Sequence, residues 1–204
     1  MRQLPKVIAV LGRIGAGKDV ICDYLVARYH GTKRGFSDPL YKILEIINPA
    51  IPVGESLVTQ KFKYYRDLVA QYGQDRAKRM FPEIRRLLQV LGTECGREIH
   101  GPDAWTKAMG RVVAADYLTC IRDCRFPSEV TWLRAQDSLL IHVHSTREQA
   151  PSAHISDFAI DAKSESDYSI ENNGTLEDLY GKVEWCLDQW QQHPPVSRGV
   201  VHDI

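Results

Sequence analysis

The chain has 204 residues, of which 44% are hydrophobic and 25% are charged, a composition typical of a globular domain. Its 26 Lys and Arg residues balance its 26 Asp and Glu residues, so no net charge draws it toward nucleic acid or an anionic membrane. No apolar run approaches the roughly 20 residues that a membrane span requires, and the first expected strand begins too early to leave room for a signal peptide. Five cysteines without a Cys-x-x-Cys pair favour reduced, mostly buried thiols rather than a zinc site. We therefore expect a single cytoplasmic domain that binds neither nucleic acid nor membrane.

The first predicted elements enclose a glycine-rich loop. Residues 6–11 form a short apolar run that predicts a buried strand, and residues 20–26 have the apolar spacing of a helix. Between them, Gly12 and Gly17 have Gly-x-x-x-x-Gly spacing, and Lys18 follows directly. In this context the loop's backbone N–H groups can surround a phosphate chain while the lysine reaches its outer oxygens. The alternative is a glycine-rich turn with an accidental lysine.

Asp19 departs from the usual form of such a loop, because Ser or Thr normally stands there and binds magnesium. Val20 supplies no hydroxyl either. The Asp19 carboxylate is either a magnesium ligand or a charge that complements the helix N-terminus.

The following stretch contains more helix than one crossover between strands needs. A weak strand is expected over residues 33–37, a helix starting at Asp38-Pro39, a loop over 48–54, a solvated helix over 60–80, one helix over 83–100 and another over 104–114. Gly92 interrupts the apolar stripe of the helix over 83–100, which a close approach of backbone or ligand would explain as well as a kink would. This surplus of helix predicts a helical substrate-binding insertion at about 48–115.

The remainder alternates strands and helices again. Strands are expected over 117–121, 138–144 and 167–170, a helix from 126, an irregular candidate lid at about 145–166, and a final helix from about 176 to 191. Asp123 follows the first of these strands, at the edge where ligands of parallel sheets bind, or else it only pairs with Arg125. This order predicts a three-layer α/β domain over residues 1–193 with a mainly parallel sheet, followed by a loosely held tail over 194–204.

Six motifs in this order make the chain similar to a known family. They are Gly-x-x-Gly-x-Gly-Lys-Asp (12–19), Phe-Ser-Asp-Pro-Leu (36–40), Arg-x-x-Leu-Gln-x-Leu-Gly-Thr-Glu-x-Gly-Arg (85–97), Asp-x-Trp (103–105), Asp-x-Arg-Phe-Pro-x-Glu (123–129) and Asn-x-Gly-Thr-Leu-x-x-Leu (172–179). Together they resemble the bacteriophage-type deoxynucleoside monophosphate kinases, which have the P-loop nucleoside monophosphate kinase fold. The resemblance covers most of the chain.

The resemblance implies a kinase that transfers the γ-phosphate of ATP to a deoxynucleoside 5′-monophosphate with the help of Mg²⁺. The implied catalytic residues are Lys18, Asp19, Asp123 and Arg125, and the implied metal ligands are Asp19 and Asp123. The residues implied in ATP binding are Gly12, Arg13, Gly15, Ala16, Gly17, Lys18, Asp19 and Arg147. Those implied in substrate binding are Asp38, Arg85, Gln89, Thr93, Glu94, Arg97 and Trp105. Similar kinases form dimers, so a homodimer is one expectation.

Two departures and several alternatives remain open at this point. Such kinases often have Thr where this chain has Val20. They also often have Ser-Glu after a histidine, whereas here residues 155–157, after His154, are Ile-Ser-Asp. Trp105 either stacks on a base or fills the core. Another small-molecule P-loop kinase, such as one resembling dephospho-CoA kinase, and a non-catalytic nucleotide-binding module are the competing functions.

Overall fold

The structure is a computed structural model that describes residues 4–54, 61–113, 117–136, 138–147 and 160–192, and the backbone of 202–203. The strands are β1 (Val7–Leu11), β2 (Thr32–Arg34), β3 (Ala50–Pro52), β4 (Phe62–Tyr64), β5 (Thr119–Ile121), β6 (Leu139–His144), β7 (Tyr168–Glu171) and β8 (His202–Asp203). The helices are α1 (Lys18–Tyr29), α2 (Asp38–Ile47), α3 (Tyr65–Tyr72), α4 (Gln74–Met80), α5 (Pro82–Val90), a π-helix (Leu91–Glu98), α6 (Ala104–Gly110), α7 (Pro127–Ala135) and α8 (Leu176–Gln192).

Six strands form one parallel sheet in the order β2-β5-β1-β6-β7-β8. Every residue of the central strand β1 is buried. Because successive side chains of a strand point to opposite faces, both faces of the sheet are covered at this position. On one face, α1 and α8 pack their buried apolar residues against β1, β6 and β7. The predicted α/β class with a mainly parallel sheet is therefore confirmed.

The chain divides into two compact units. Unit 1 comprises Met1–Phe36 and Met109–Ile204 and contains the parallel sheet, whereas unit 2 is Ser37–Ala108. Unit 2 has its own core, in which the fully buried residues include Leu44, Ile51, Leu68 and Ile84. Sequence analysis expected a helical insertion over about 48–115; unit 2 also includes α2, because Leu40, Tyr41 and Leu44 of that helix belong to this core.

Two local predictions were wrong in detail. The expected solvated helix over 60–80 consists of β4, which pairs antiparallel with β3, and two helices that bury Leu68 and Ala77. The expected single helix over 83–100 changes to a π-helix at Leu91. Of the tail that was expected to be loosely held, residues 194–201 and 204 lie outside the described residues, and the backbone of His202–Asp203 pairs with β7.

The start of α8 follows its prediction closely. The Thr175 N–H donates to Asp178 Oδ2 at 3.0 Å, and the Asp178 N–H donates to Thr175 Oγ1 at 3.2 Å. Each side chain thus satisfies a backbone donor at the helix start. Among the helices that the structure describes, none has both the length and the apolar character needed to cross a bilayer.

Candidate functional site

The glycine-rich loop between β1 and α1 has a backbone that only glycine adopts readily. Gly12, Gly15 and Gly17 have φ angles of 137°, 89° and 109°. A Cβ atom on Gly12 would overlap the carbonyl oxygen of Val143, and one on Gly17 would overlap the side-chain amide of Asn172. Both the backbone conformation and the close neighbours therefore require glycine here. Positive φ angles of this kind allow successive backbone N–H groups to turn toward an anion.

Lys18 is the first residue of α1, and its side chain turns back over this loop. Its Nζ donates to the carbonyl oxygens of Gly12 at 2.8 Å and Arg13 at 2.7 Å. These neutral acceptors hold the ammonium group beside the loop. Phosphate oxygens bind an ammonium group more strongly than carbonyl oxygens do, so an incoming phosphate chain has a favourable exchange of partners available.

Asn172 was identified from the sequence only as the first residue of the 172–179 motif, and it supports the loop from the end of β7. Its buried side chain donates from Nδ2 to the carbonyl oxygen of Ala16 at 2.8 Å. Arg147 in turn donates from Nη2 to the backbone oxygen of Asn172 at 2.8 Å and from Nε to Ser145 Oγ at 3.3 Å. The structure thus brings Arg147 to the residue that holds the loop. Of the candidate lid at about 145–166, residues 148–159 lie outside the described residues.

Asp19 faces two cations that sequence analysis did not single out. Its Oδ1 lies 3.2 Å from Arg122 Nη1 and 3.5 Å from Lys33 Nζ, and 62% of its side chain is exposed. Lys33 also pairs with Asp23 at 2.5 Å. Burial alone would lower the pKa of Lys33, but the hydrogen bond to Asp23 and the negative charges of Asp19 and Asp23 outweigh it and raise that pKa. Lys33 is therefore charged, and the Asp19 charge is compensated within unit 1.

Asp123 lies just beyond β5, which is the neighbour of β1 in the sheet. Because parallel strands end at the same edge, Asp123 and the glycine-rich loop share that edge. Asp123 Oδ1 accepts a hydrogen bond from the Phe36 N–H at 2.7 Å. A Cβ atom on Gly35 would lie 2.7 Å from Asp123 Oδ2, so glycine is needed for this approach. The carboxylate is thereby fixed in position.

The turn after Asp123 is organised by a buried carboxylate. Glu129 is 2% exposed, and its Oε2 accepts hydrogen bonds from the N–H groups of Arg125 at 2.7 Å and Phe126 at 3.1 Å. These bonds satisfy backbone donors at the start of α7. The half-buried Arg125 follows Asp123 in this fixed turn.

In unit 2, the candidate substrate residues lie along α5, the π-helix and α6. Arg85 and Gln89 are one turn apart on α5 and both are half-buried. Thr93 is half-buried and Glu94 is exposed on the π-helix. Asp38 begins α2, which also belongs to this unit. These five residues therefore belong to one compact unit.

Arg97 and Trp105 both donate a hydrogen bond to one backbone atom, the carbonyl oxygen of Gly92. Arg97 Nη1 donates to the carbonyl oxygen of Gly92 at 2.7 Å, and Trp105 Nε1 donates to the same oxygen at 2.8 Å. A Cβ atom on Gly92 would lie 3.2 Å from Leu40 Cδ1. The close neighbour of Gly92 is thus the Leu40 side chain of α2, whereas the sequence had left open a kink or an approach of backbone or ligand.

A groove of about 580 Å³ runs along the first turns of α8. Its lining includes Asn172, Lys182 and Trp185, and the described residues that line it do not include Lys18 or Asp123. The groove therefore adjoins the glycine-rich loop through Asn172 without containing the candidate catalytic side chains.

Comparisons with known proteins point to one family. The family model described as deoxynucleotide monophosphate kinase matches residues 74–183, more than half of the chain. The deoxynucleotide monophosphate kinase of Escherichia phage RB69 is 30% identical over 109 residues, which are 51% of this chain and 44% of that protein. The deoxynucleoside-5′-monophosphate kinase of Escherichia phage T5 is 25% identical over 76% of this chain and 85% of its own length. A putative deoxynucleotide monophosphate kinase of Acanthamoeba polyphaga mimivirus is 22% identical over 91% of this chain and 97% of its own length.

Among solved structures, dephospho-CoA kinase from Campylobacter jejuni aligns with 92% of this chain and 98% of its own, at 11% identity and a TM-score of 0.40. This likeness is too distant to bear on function. The match to the phage RB69 protein spans 44% of that protein's length, so the match by itself does not assign the activity of the whole RB69 protein to this chain.

Proposed function

The chain belongs to the deoxynucleotide monophosphate kinase family, and we propose that it transfers the γ-phosphate of ATP to a deoxynucleoside 5′-monophosphate. The observation that carries the proposal is the glycine-rich loop, with Lys18 turned over it. Phosphoryl transfer depends mainly on positioning and charge neutralisation, and this loop supplies both. Since ATP and nucleoside monophosphates are cytoplasmic metabolites, the proposed reaction takes place in the cytoplasm. A homodimer stays a prediction.

In the proposed complex, the loop backbone and Lys18 bind the phosphates of ATP. Lys18 exchanges the carbonyl oxygens of Gly12 and Arg13 for phosphate oxygens and neutralises charge that develops in the transition state. Arg147 lies beside Asn172 and, in this proposal, contributes a further positive charge on the donor side.

The carboxylates of unit 1 fit a magnesium ion that is held largely by nucleotide phosphates. Within the described chain, no group of three or more His, Cys, Asp or Glu side chains could hold a metal by itself. Magnesium in phosphoryl-transfer sites uses one or two carboxylates together with phosphates and water, and Asp19 and Asp123 offer such carboxylates. Magnesium bound there would neutralise charge on the transferred phosphate.

In unit 2, the proposed acceptor site uses Arg85, Gln89 and Arg97. Two guanidinium groups suit the 5′-phosphate of the acceptor, because arginine binds phosphate with paired N–H donors. The acceptor phosphate is already an anion and needs little help from a general base, so we assign positioning and charge to these side chains.

The first test is turnover by the purified protein with ATP and each of the four deoxynucleoside monophosphates, followed as ADP and deoxynucleoside diphosphate. Dephospho-CoA and ribonucleoside monophosphates serve as comparison acceptors, and Lys18→Ala is the matched variant. We expect product with at least one deoxynucleotide and much less with the variant. Tight nucleotide binding without turnover would instead favour a non-catalytic module, and turnover of dephospho-CoA alone would favour the other kinase class.

A second test assigns the nucleotides to the two sets of residues. Arg85→Ala and Arg97→Ala should raise KM for the deoxynucleotide far more than KM for ATP, because both lie in unit 2 and not in the glycine-rich loop. Arg86→Ala is the matched control, since that exposed arginine pairs with Glu83 on the same helix. A rise confined to KM for ATP would reverse the assignment.

A further inference from the structure

The described chain contains a π-helix, an element that is rare in proteins. This π-helix lies among the candidate substrate residues. It covers Leu91–Glu98 and directly continues α5. A π-helix closes its hydrogen bonds one residue later than an α-helix, and such turns are often found at functional sites. Gly92 is the second residue of this stretch, and Arg97 lies five residues further on, at the spacing of one π-turn.

The carbonyl oxygen of Gly92 joins two side chains across this turn. A carbonyl oxygen has two lone pairs, so it can accept from both Arg97 Nη1 and Trp105 Nε1. The two donors lie at 2.7 and 2.8 Å, which are short distances for N–H donors. The indole therefore helps to fix the position of the atom that orients the guanidinium group.

Glycine at position 96 lets the indole come this close. A Cβ atom there would overlap the ring of Trp105, with Nε1 only 2.7 Å away. Trp105 also packs against the core of unit 2. The edge of the indole ring and its only N–H group thus both contact the π-helix. These contacts do not support a role for Trp105 in stacking on a base.

We propose that Trp105 is a positioning residue that acts through the Gly92 carbonyl to orient Arg97 toward the 5′-phosphate of the acceptor nucleotide. This inference rests on the proposed function, in which Arg97 binds that phosphate. A guanidinium group recognises phosphate through the direction of its N–H bonds as well as through its charge. Fixing Nη1 on a backbone oxygen sets the plane of the group before the substrate arrives, which lowers the entropic cost of binding.

The test is a double-mutant cycle on the full chain with Trp105→Phe, Arg97→Ala and the double variant. Trp105→Phe keeps an aromatic ring but removes the N–H donor. We expect it to raise KM for the deoxynucleotide by about three- to tenfold, the size of one lost hydrogen bond, with KM for ATP within about twofold of wild type. In the Arg97→Ala background, the same change should alter KM for the deoxynucleotide by less than about twofold.

Three outcomes would overturn the inference. An equal factor in both backgrounds would mean that the indole contacts the substrate itself. A lower melting temperature with unchanged KM would mean that Trp105 only fills the core. If Arg97→Ala leaves KM for the deoxynucleotide unchanged, Arg97 does not bind the acceptor phosphate and the proposed function of that residue is wrong. The single variant shows this without Trp105→Phe, so it is distinguishable from a failure of the Trp105 proposal alone.

Two further variants keep the test decisive. Trp185→Phe is the matched control, since this tryptophan lies on α8 in unit 1, and KM for the deoxynucleotide should not change. Gly96→Ala removes no polar group from the chain, but its methyl group displaces the indole and with it the N–H donor. It should reproduce the rise in KM for the deoxynucleotide even if Trp105→Phe folds poorly, and a normal KM in folded Gly96→Ala would contradict the proposal.

Discussion

The glycine-rich loop of unit 1 and the π-helix of unit 2 hold a cationic side chain in the same way. Lys18 donates to the carbonyl oxygens of Gly12 and Arg13, and Arg97 donates to that of Gly92. In both places a backbone carbonyl positions a cation that the proposed reaction directs at phosphate. Backbone acceptors suit this purpose because they orient the cation without neutralising its charge as a carboxylate would.

The two regions differ in why they need glycine. Gly12 has a φ of 137°, a conformation that other residues rarely adopt, and it also touches Val143. Gly92 and Gly96 lie in a helix without positive φ. Trp105 leaves no room for a Cβ atom on Gly96, and Leu40 would have to shift slightly to admit one on Gly92. Glycine therefore supplies both a backbone conformation and space in the loop of unit 1, and space alone in the π-helix of unit 2.

The largest expected effect separates the two cations by kinetics. Lys18→Ala should lower kcat by about 100- to 1,000-fold, because the lysine contributes to transition-state charge stabilisation. Arg97→Ala should act mainly on KM for the deoxynucleotide. Steady-state kinetics with each substrate varied in turn measures both variants. If Lys18→Ala retains activity within about threefold of wild type, the lysine has no part in the mechanism and the comparison fails.

The next effect tests the role of backbone conformation. Gly12→Ala should lower the free energy of unfolding by about 2–4 kcal/mol, since strain at positive φ adds to the overlap with Val143. Gly181→Ala is the control: this glycine lies inside α8 with nothing within 4 Å of a new Cβ atom, so the change should raise stability by about 0.5–1 kcal/mol. Urea denaturation measures both. Equal stabilities for the two variants would refute the conformational role of Gly12.

The difference between the two regions also explains what the sequence could predict. The loop is a local pattern, since strand, glycines and lysine follow one another within residues 6–18. Short-range spacing was therefore sufficient to predict it, together with the parallel sheet. The π-helix has one extra residue per hydrogen-bonded turn, and an apolar stripe such as Ile84, Leu88 and Leu91 looks the same with or without it. Only Gly92 indicated something unusual at that position.

Contacts between distant parts of the chain escaped sequence reasoning. Asn172 reaches Ala16 across 156 residues, and Arg122 reaches Asp19 across 103. No periodicity encodes such pairs, because they follow from the order of strands in the sheet. The antiparallel pair of β3 and β4 was missed for a different reason. Pro52 and Gly54 favour a loop, and β4 has only three residues, all of them exposed, which is too short a run to indicate a strand.

A third prediction concerns Asn172, which holds the glycine-rich loop by a hydrogen bond from a distant part of the chain, as Trp105 holds the Gly92 carbonyl. Asn172→Ala removes the donor to the Ala16 carbonyl and should lower the free energy of unfolding by about 1–3 kcal/mol. It should also raise KM for ATP while leaving KM for the deoxynucleotide nearly unchanged. Asn173→Ala is the neighbouring control, and its exposed side chain should matter less because water can replace its partners. An unchanged KM for ATP would limit Asn172 to a structural role.

The smallest expected effect concerns Asp19, the residue that departs from the usual loop pattern. Its carboxylate is 62% exposed and faces Arg122 and Lys33, and exposed ion pairs contribute about 0–1 kcal/mol. Asp19→Asn should therefore fold almost normally, with a melting temperature close to that of wild type. The informative measurement is activity against magnesium concentration at saturating nucleotides.

If the Asp19 carboxylate helps to hold magnesium, Asp19→Asn should shift that titration to higher magnesium by about two- to fivefold, because the amide keeps an oxygen but loses the charge. Arg122→Gln is the matched variant, since it keeps the carboxylate and removes one competing cation. It should shift the titration the other way. Unshifted curves for both variants, with a slightly lower melting temperature for Asp19→Asn, would make Asp19 a charge that only complements the start of α1. In that case Asp123, held by the Phe36 N–H at the same sheet edge, would be the carboxylate left to meet the metal.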